Sequence, residues 1–375
     1  MARTVADLVA AMERIAPTAH AADWDNVGLL VGARDWPLRS ALLTIDTTAA
    51  VLDEAERTAA SALVSYHPPI FAPVSTLTDG SPAGRLVLRA AAARIAVHSP
   101  HTALDAAPGG LGDWLAEGFG KARACEPLQP AYDLPASEET KLVTFVPADA
   151  VDAVRSALAA AGAGRIGNYE LCSFELRGQG TFLGNEASNP AVGARGVLER
   201  VDEVRLEMVC PRAALAAAIA VLRGAHPYEE PPIEVHPLAP RPRRDAGQGR
   251  FVELADDIDV QGAVARVKQR LGVATVRVAA PRGPAARVSR IALCPGAGGE
   301  LLEPALACGC ELFFTGEMRH HDVLAAHERG CAVVLAGHTN TERPFLPVLA
   351  ARLRGELPGV DVAVATADRW PLAIA

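Results

Sequence analysis

The chain has 375 residues, half of them hydrophobic, with 36 Lys and Arg against 44 Asp and Glu and a formal net charge of −8. That length suits two or three domains with a sizeable core, and the acidic balance disfavours a nucleic-acid partner. Seven scattered cysteines, an odd number, read as reduced thiols of a cytoplasmic protein rather than as a disulfide framework.

The N-terminus, ARTVADLVAAMERIAP, carries charges inside its apolar pattern, which predicts a surface helix rather than a signal peptide. The longest apolar run, about Ala213 to Leu222, is too short to span a bilayer, so no membrane partner is expected. Residues 1–124 then alternate β-rich runs (ALLTID, SALVSY, RIAVHS) with helical patterns (AAVLDEAERTAA, SPAGRLVLRAAAA), which predicts an α/β fold with a largely parallel sheet. Residues 125–249 lie between proline-rich joints and hold a weak internal repeat, KLVTFVPADAVDAVRSALAAAG against VRLEMVCPRAALAAAIAVLRG. Their order reads β-α-β…β-α-β, a ferredoxin-like α+β domain inserted into a loop of the α/β domain. Residues 250–375 return to the α/β alternation, with VSRIALC, ELFFTG, CAVVLAG and VDVAVAT as strands and LLEPALACG, MRHHDVLAAHERG and ERPFLPVLAARL as helices.

Ligands in open α/β sheets bind beyond the carboxyl ends of the strands. Three such ends carry metal-ligand residue types. SALVSY runs into His67, stiffened by Pro68 and Pro69. RIAVHS runs into HTALD, whose His101 and Asp105 are expected in a turn. CAVVLAG runs into His338 and Glu342, spaced i,i+4 at the expected start of a helix and so on one face. Taken alone, His338 to Glu342 also fits a capped helix start, His67 a surface strand end, and Asp105 a turn or cap. Together they predict an imidazole–carboxylate site for a divalent ion, with Zn, Mn, Fe and Ni all compatible. His101, His320 and His321 are candidate acid–base residues, although adjacent helix positions point about 100° apart, so His320 and His321 cannot both face one ion. CPGAGGE, after VSRIALC, could receive an anion but lacks the Walker Lys-Ser/Thr ending. HPYEEPP in the middle stretch reads as a closing turn or a second ligand site. Cys308 and Cys310 lack zinc-knuckle spacing and read as small buried side chains.

The segments DNVGLLVG (Asp25 to Gly32), SYHPPIF, HTALDAAPGGLGDWLA, TGEMRHHD and GHTNTE, in that order, resemble the NIF-three-like dinuclear-metal-centre proteins, also labelled GTP cyclohydrolase 1 type 2 homologs. The middle stretch, with GTFLGNE and HPYEEPP, resembles the PII-like or CutA-like insert of their longer bacterial members. The resemblance implies a toroidal homohexamer with a metal pair inside the ring, one or two ions per subunit, and a ligand set of Tyr66, His67, Asp105, His338 and Glu342. Tyr66 stands where the commonest pattern has a His, and a neutral phenol is the poorer ligand, so the second metal position is expected to be weak. The expected activity is metal-dependent hydrolysis of a C–N or phosphate ester bond in a nucleotide-like or pterin-like substrate. The alternative is a non-catalytic metal-binding or regulatory protein with the insert as sensor or gate.

Overall fold

The computed structural model describes residues 2–369. The chain divides into a larger unit, residues up to Ala131 together with those from Arg243 on, and a smaller one, Tyr132–Pro242. No helix among the described residues is long and apolar enough to cross a membrane.

The larger unit holds two mixed sheets. In the first, Ala96–Ser99, Ala62–Ser65, Ser40–Thr44 and Asp361–Val364 run parallel in that order, and Gly28–Val31 pairs antiparallel beside Ala96–Ser99. In the second, Ala332–Leu335, Leu312–Glu317 and Arg287–Ala297 form a parallel centre. Arg277–Ala279 flanks it on one side, Arg250–Asp259 and Ala122–Glu126 on the other, all antiparallel. The two outer stretches of sequence therefore exchange edge strands: Asp361–Val364 joins the first sheet, and Ala122–Glu126 joins the second.

Both faces of the parallel strands are buried, which is why they read as continuous apolar runs rather than alternating ones. Leu43, Val64, Phe314 and Val334 face a common core with residues of the helices Val5–Ile15, Leu111–Glu117, Val260–Leu271 and Leu346–Glu356. On the other face of the first sheet, Leu42, Leu63 and Val97 meet the helices Ala49–Arg57 and Pro82–Ala92. On the other face of the second, Ala292, Phe313 and Val333 meet Leu302–Ala307 and His320–Glu328. The ends of these helices follow local rules. Val5–Ile15 starts at a capping box in which Thr4 N–H donates to Asp7 Oδ2 at 2.8 Å. Val260–Leu271 is capped by Asp259, which accepts Gly262 N–H, and stops at Gly272, whose φ of +69° is cheap only for glycine.

Arg250 is the bulkiest fully buried side chain among the described residues. The Arg250 side chain is 1% exposed. Its guanidinium donates to Asp113, to Gly247 O and Gly249 O at 2.7 and 2.8 Å, and to Ala106 O and Ala107 O, both at 3.3 Å. It thereby ties its strand to the helices His101–Ala106 and Leu111–Glu117.

The smaller unit has one antiparallel sheet in the order Ile233–Pro237, Thr140–Pro147, Leu198–Cys210, Phe174–Leu183. The helices Val151–Ala160 and Leu215–Ala225 share a core with it, where Val154, Leu158, Ala218 and Leu222 meet Leu142, Val146, Leu206 and Met208. In chain order the elements are strand, helix, two strands, helix, strand.

Candidate metal centre

Three strand ends of the larger unit supply the pocket. Tyr66 and His67 follow Ala62–Ser65, and their amides extend the parallel ladder by donating to Thr44 O at 2.8 Å and Ile45 O at 2.9 Å. His101 and Asp105 lie on a short helix, His101–Ala106, where the sequence predicts a turn. His338 and Glu342 lie in consecutive turns rather than on a helix. Thr341 N–H donates to His338 O at 3.1 Å, Arg343 N–H donates to Thr339 O at 2.9 Å, and the helix begins only at Leu346. The Thr341 hydroxyl also donates to His338 O, and this local competition with the helix ladder fits the delay. The turns still bring His338 Nε2 to 3.4 Å from Glu342 Oε1.

His67 Nε2 approaches the other oxygen of Glu342, Oε2, at 3.5 Å. One donor atom from each of His67, His338 and Glu342 lies within 4.8 Å of the other two. The far side of each ring is held by a carboxylate: His67 Nδ1 is 2.8 Å from Asp46, and His338 Nδ1 is 2.9 Å from Glu317. A carboxylate can only accept, so both Nδ1 atoms carry protons and both rings aim Nε2 at Glu342, the orientation that hydrogen-bonded carboxylates give to metal-bound histidines.

Three further observations fit a divalent cation here. Glu342 Oε2 is buried and has no hydrogen-bond partner. A Cβ on Gly296 would stand 2.8 Å from Glu342 Oε1 and 3.2 Å from His338 Nε2, so the bare glycine leaves the donors their room. Burial works against the His67 imidazolium, yet its hydrogen bond to Asp46 and the nearby charge of Glu342 push its pKa up to about 10. The pocket thus carries more carboxylate than neutral imidazoles can balance. Mixed nitrogen and oxygen donors suit Zn, Mn, Fe or Ni without selecting among them.

Asp105 and Tyr66 line the same cavity, of about 400 Å³, outside the group of three. The Tyr66 hydroxyl donates to Asp105 Oδ1 at 2.5 Å. Burial, reinforced by the charges of Asp105 and Glu342, holds the phenol pKa well above its ordinary value, so Tyr66 stays protonated and orients a carboxylate. Burial also lifts Asp105 to about 7 against the opposing pull of Tyr66 and His101. His101 faces the cavity with Nδ1 2.7 Å from Asp25. Asp25 is in turn gripped by the backbone N–H and the hydroxyl of Thr102. His101 sits at φ +27°, a strained backbone for a residue with a side chain. His320 and His321, the other two acid–base candidates, are exposed at the start of their helix and lie outside the lining. Their place beside the GEM segment in sequence does not carry them over the strand end. The CPGAGGE loop does reach the site, through Cys294 to Ala297 and Glu300.

Sequence reasoning missed Asp46, Glu317 and Asp25. Two of them were within reach of the strand-end rule, since Asp46 closes ALLTID and Glu317 closes Leu312–Glu317. Asp25 had no such signal. An Asp46→Ala variant, at a side chain 41% exposed, should fold normally and bind a divalent ion about 10–100-fold more weakly. Competition with a chromophoric chelator measures this, and wild-type affinity would remove the orienting role.

An α/β unit with imidazoles and carboxylates gathered at its strand ends is the architecture of a candidate metal-binding protein. The chain belongs to the Duf34/NIF3 (NGG1p interacting factor 3) family, whose model matches residues 3–371. It is 34% identical over 380 residues to a Mycobacterium tuberculosis protein named "GTP cyclohydrolase 1 type 2 homolog", covering 99% of this chain and 98% of that one. It is 33% identical over 373 residues to "NIF3-like protein 1" of Bos taurus, covering 97% and 91%. A solved Bacillus cereus structure, described as related to NIF3, superposes with a TM-score of 0.69 at 30% identity over the full length of both chains.

Proposed function

We propose that this chain is a divalent-metal hydrolase acting on a nucleotide-like or pterin-like substrate. The observation that carries the reading is the pair of imidazole Nε2 atoms aimed at one buried carboxylate, each ring braced from behind by another carboxylate. His67, His338 and Glu342 would hold one ion. Asp105, with one oxygen taken by Tyr66, would keep the other for a second, weaker ion. A bound divalent cation supplies Lewis acidity and lowers the pKa of water. His101, oriented by Asp25, holds and passes a proton at Nε2. Trp24 and Phe71 stand at the pocket 57% and 55% exposed, ring centroids 5.8 Å apart, and offer flat apolar faces to a planar ring. The name borne by the tuberculosis relative points the same way for the substrate.

Incubating Mn- or Zn-loaded protein with GTP, dinucleotides and cyclic amides, with products resolved by chromatography, tests the activity. Turnover is expected on one of them and should be lost in His101→Ala. No turnover on any would favour the second reading, a non-catalytic metal-binding or regulatory protein. That reading draws support from the smaller unit, which has a hydrophobic core of its own and a four-stranded antiparallel sheet; on it, the unit is a ferredoxin-like, PII- or CutA-like insert and would serve as sensor or gate. We assign the chain to the cytoplasm and to a homohexamer built on the larger unit. Light scattering should give six times the 39.1 kDa chain mass, and a monomer at micromolar concentration would overturn the assembly.

A further inference from the structure

The HPYEEPP segment, His226 to Pro232, takes no part in the site above. In the smaller unit it walls a separate cavity of about 270 Å³ together with Gly180 to Phe182 and the loop through Ser188 to Ala191. The turn is set from beneath by His226, which is 6% exposed. Its Nε2 lies 2.9 Å from Phe145 O, and its Nδ1 accepts Tyr228 N–H at 3.1 Å. A carbonyl oxygen only accepts, so the single ring proton is on Nε2 and the ring is neutral. The Tyr228 hydroxyl then donates to Glu203 Oε1 at 2.8 Å, and Asn189 N–H donates to Glu229 Oε1 at 2.9 Å, which fastens the loop to the turn. A Cβ on Gly180 would stand 2.2 Å from Glu203 Oε2. Only a residue without a side chain leaves that carboxylate its place on the cavity wall.

The charge in this cavity is one-sided. Glu203, Glu229 and Glu230 line it, and no Lys or Arg does. Glu230 is exposed and has no ion-pair partner among the described residues. The carboxylates are spread rather than convergent: among the described residues, the only group with three donor atoms within 4.8 Å is that of His67, His338 and Glu342. Spread carboxylates suit an extended cation better than a metal ion, which needs its oxygens gathered at one point. Phe182 and Pro190 add apolar wall. An aromatic face beside carboxylates is a good setting for a weakly hydrated organic cation.

We propose that this cavity binds a small organic cation, an alkyl guanidinium or ammonium whose head is taken by Glu203 and Glu230 and whose short stem lies against Phe182. Binding here is independent of the metal pocket in the larger unit and makes the smaller unit a ligand-binding module in its own right.

Calorimetric titration of the full-length protein with butylguanidinium, and separately with butylurea, tests this. The two probes match in shape and differ in charge. Butylguanidinium should bind at least tenfold more tightly than butylurea, and its affinity should fall as NaCl is raised. Glu203→Gln and Gly180→Val should each weaken it at least tenfold. Glu230→Gln, at an exposed side chain that no folding argument involves, should weaken it severalfold with an unchanged melting midpoint. Equal binding of the two probes, wild-type affinity in both Glu variants, or uptake of Ca²⁺ at this cavity with no heat from butylguanidinium would each overturn the proposal.

Discussion

Glu342→Ala is expected to strip the bound divalent ion from the purified protein, with affinity falling by more than the roughly 100-fold typical of losing an orienting group alone. Glu342 faces both imidazoles, with Oε1 3.4 Å from His338 Nε2 and Oε2 3.5 Å from His67 Nε2. The fold should survive. The carboxylate is buried, with one oxygen lacking a hydrogen-bond partner, so its removal relieves a desolvated anion and leaves a polar gap that water can enter, while His67 loses a nearby charge that helps raise its pKa. The metal-free variant should therefore be destabilised by no more than about 3 kcal/mol relative to metal-free wild type. Elemental analysis and urea denaturation together give the answer. A variant that retains wild-type metal content would show that the ion, if any, sits elsewhere.

The second large effect belongs to stability. Arg250→Met should cost about 3–5 kcal/mol, because it leaves half-buried Asp113 and several buried carbonyl oxygens without their donor. Met fills the space of the aliphatic stem, so most of the loss comes from hydrogen bonds rather than from a cavity. Four carbonyl oxygens, those of Ala106, Ala107, Gly247 and Gly249, lose their guanidinium donor together. Arg250→Lys should recover only part of the loss, because one ammonium cannot reproduce a planar fork that serves several acceptors. Denaturant midpoints measure all three proteins, and a loss below about 1 kcal/mol, the level of an ordinary substitution, would mean that these bonds are replaced by water.

Much of the candidate site was legible because strand ends are local events. A β-rich run followed at once by His67, or by His338, places those side chains at a sheet edge whatever the rest of the fold does. The rule failed where it was applied to only some of the strands. Asp46 and Glu317 end strands in the same way, and they proved to be the braces behind the two imidazoles. Helical spacing was less dependable: His338 and Glu342 meet through successive turns, and His101 and Asp105 stand on a short helix where a turn was expected. His320 and His321 show the limit of arguing from nearness in sequence. In the fold, the α/β alternation was plain from hydrophobic period, but the exchange of edge strands was not. Nothing in VDVAVAT says that it pairs beside ALLTID, more than 300 residues away. Pairing partners are chosen by packing across the whole unit, and one sequence carries that information only diffusely.

The donors of the pocket come from two different sheets. His67 extends the first, and His338 with Glu342 extends the second. An ion shared among them would therefore be a clasp between two layers that share one apolar core. Its binding free energy adds to the cohesion of the larger unit, by about 2.7 kcal/mol when free ion stands at a hundred times its dissociation constant. On the proposed function, metal supply and the cohesion of the larger unit would then vary together. On that reading, protein short of the ion would be looser where the two sheets meet as well as emptier.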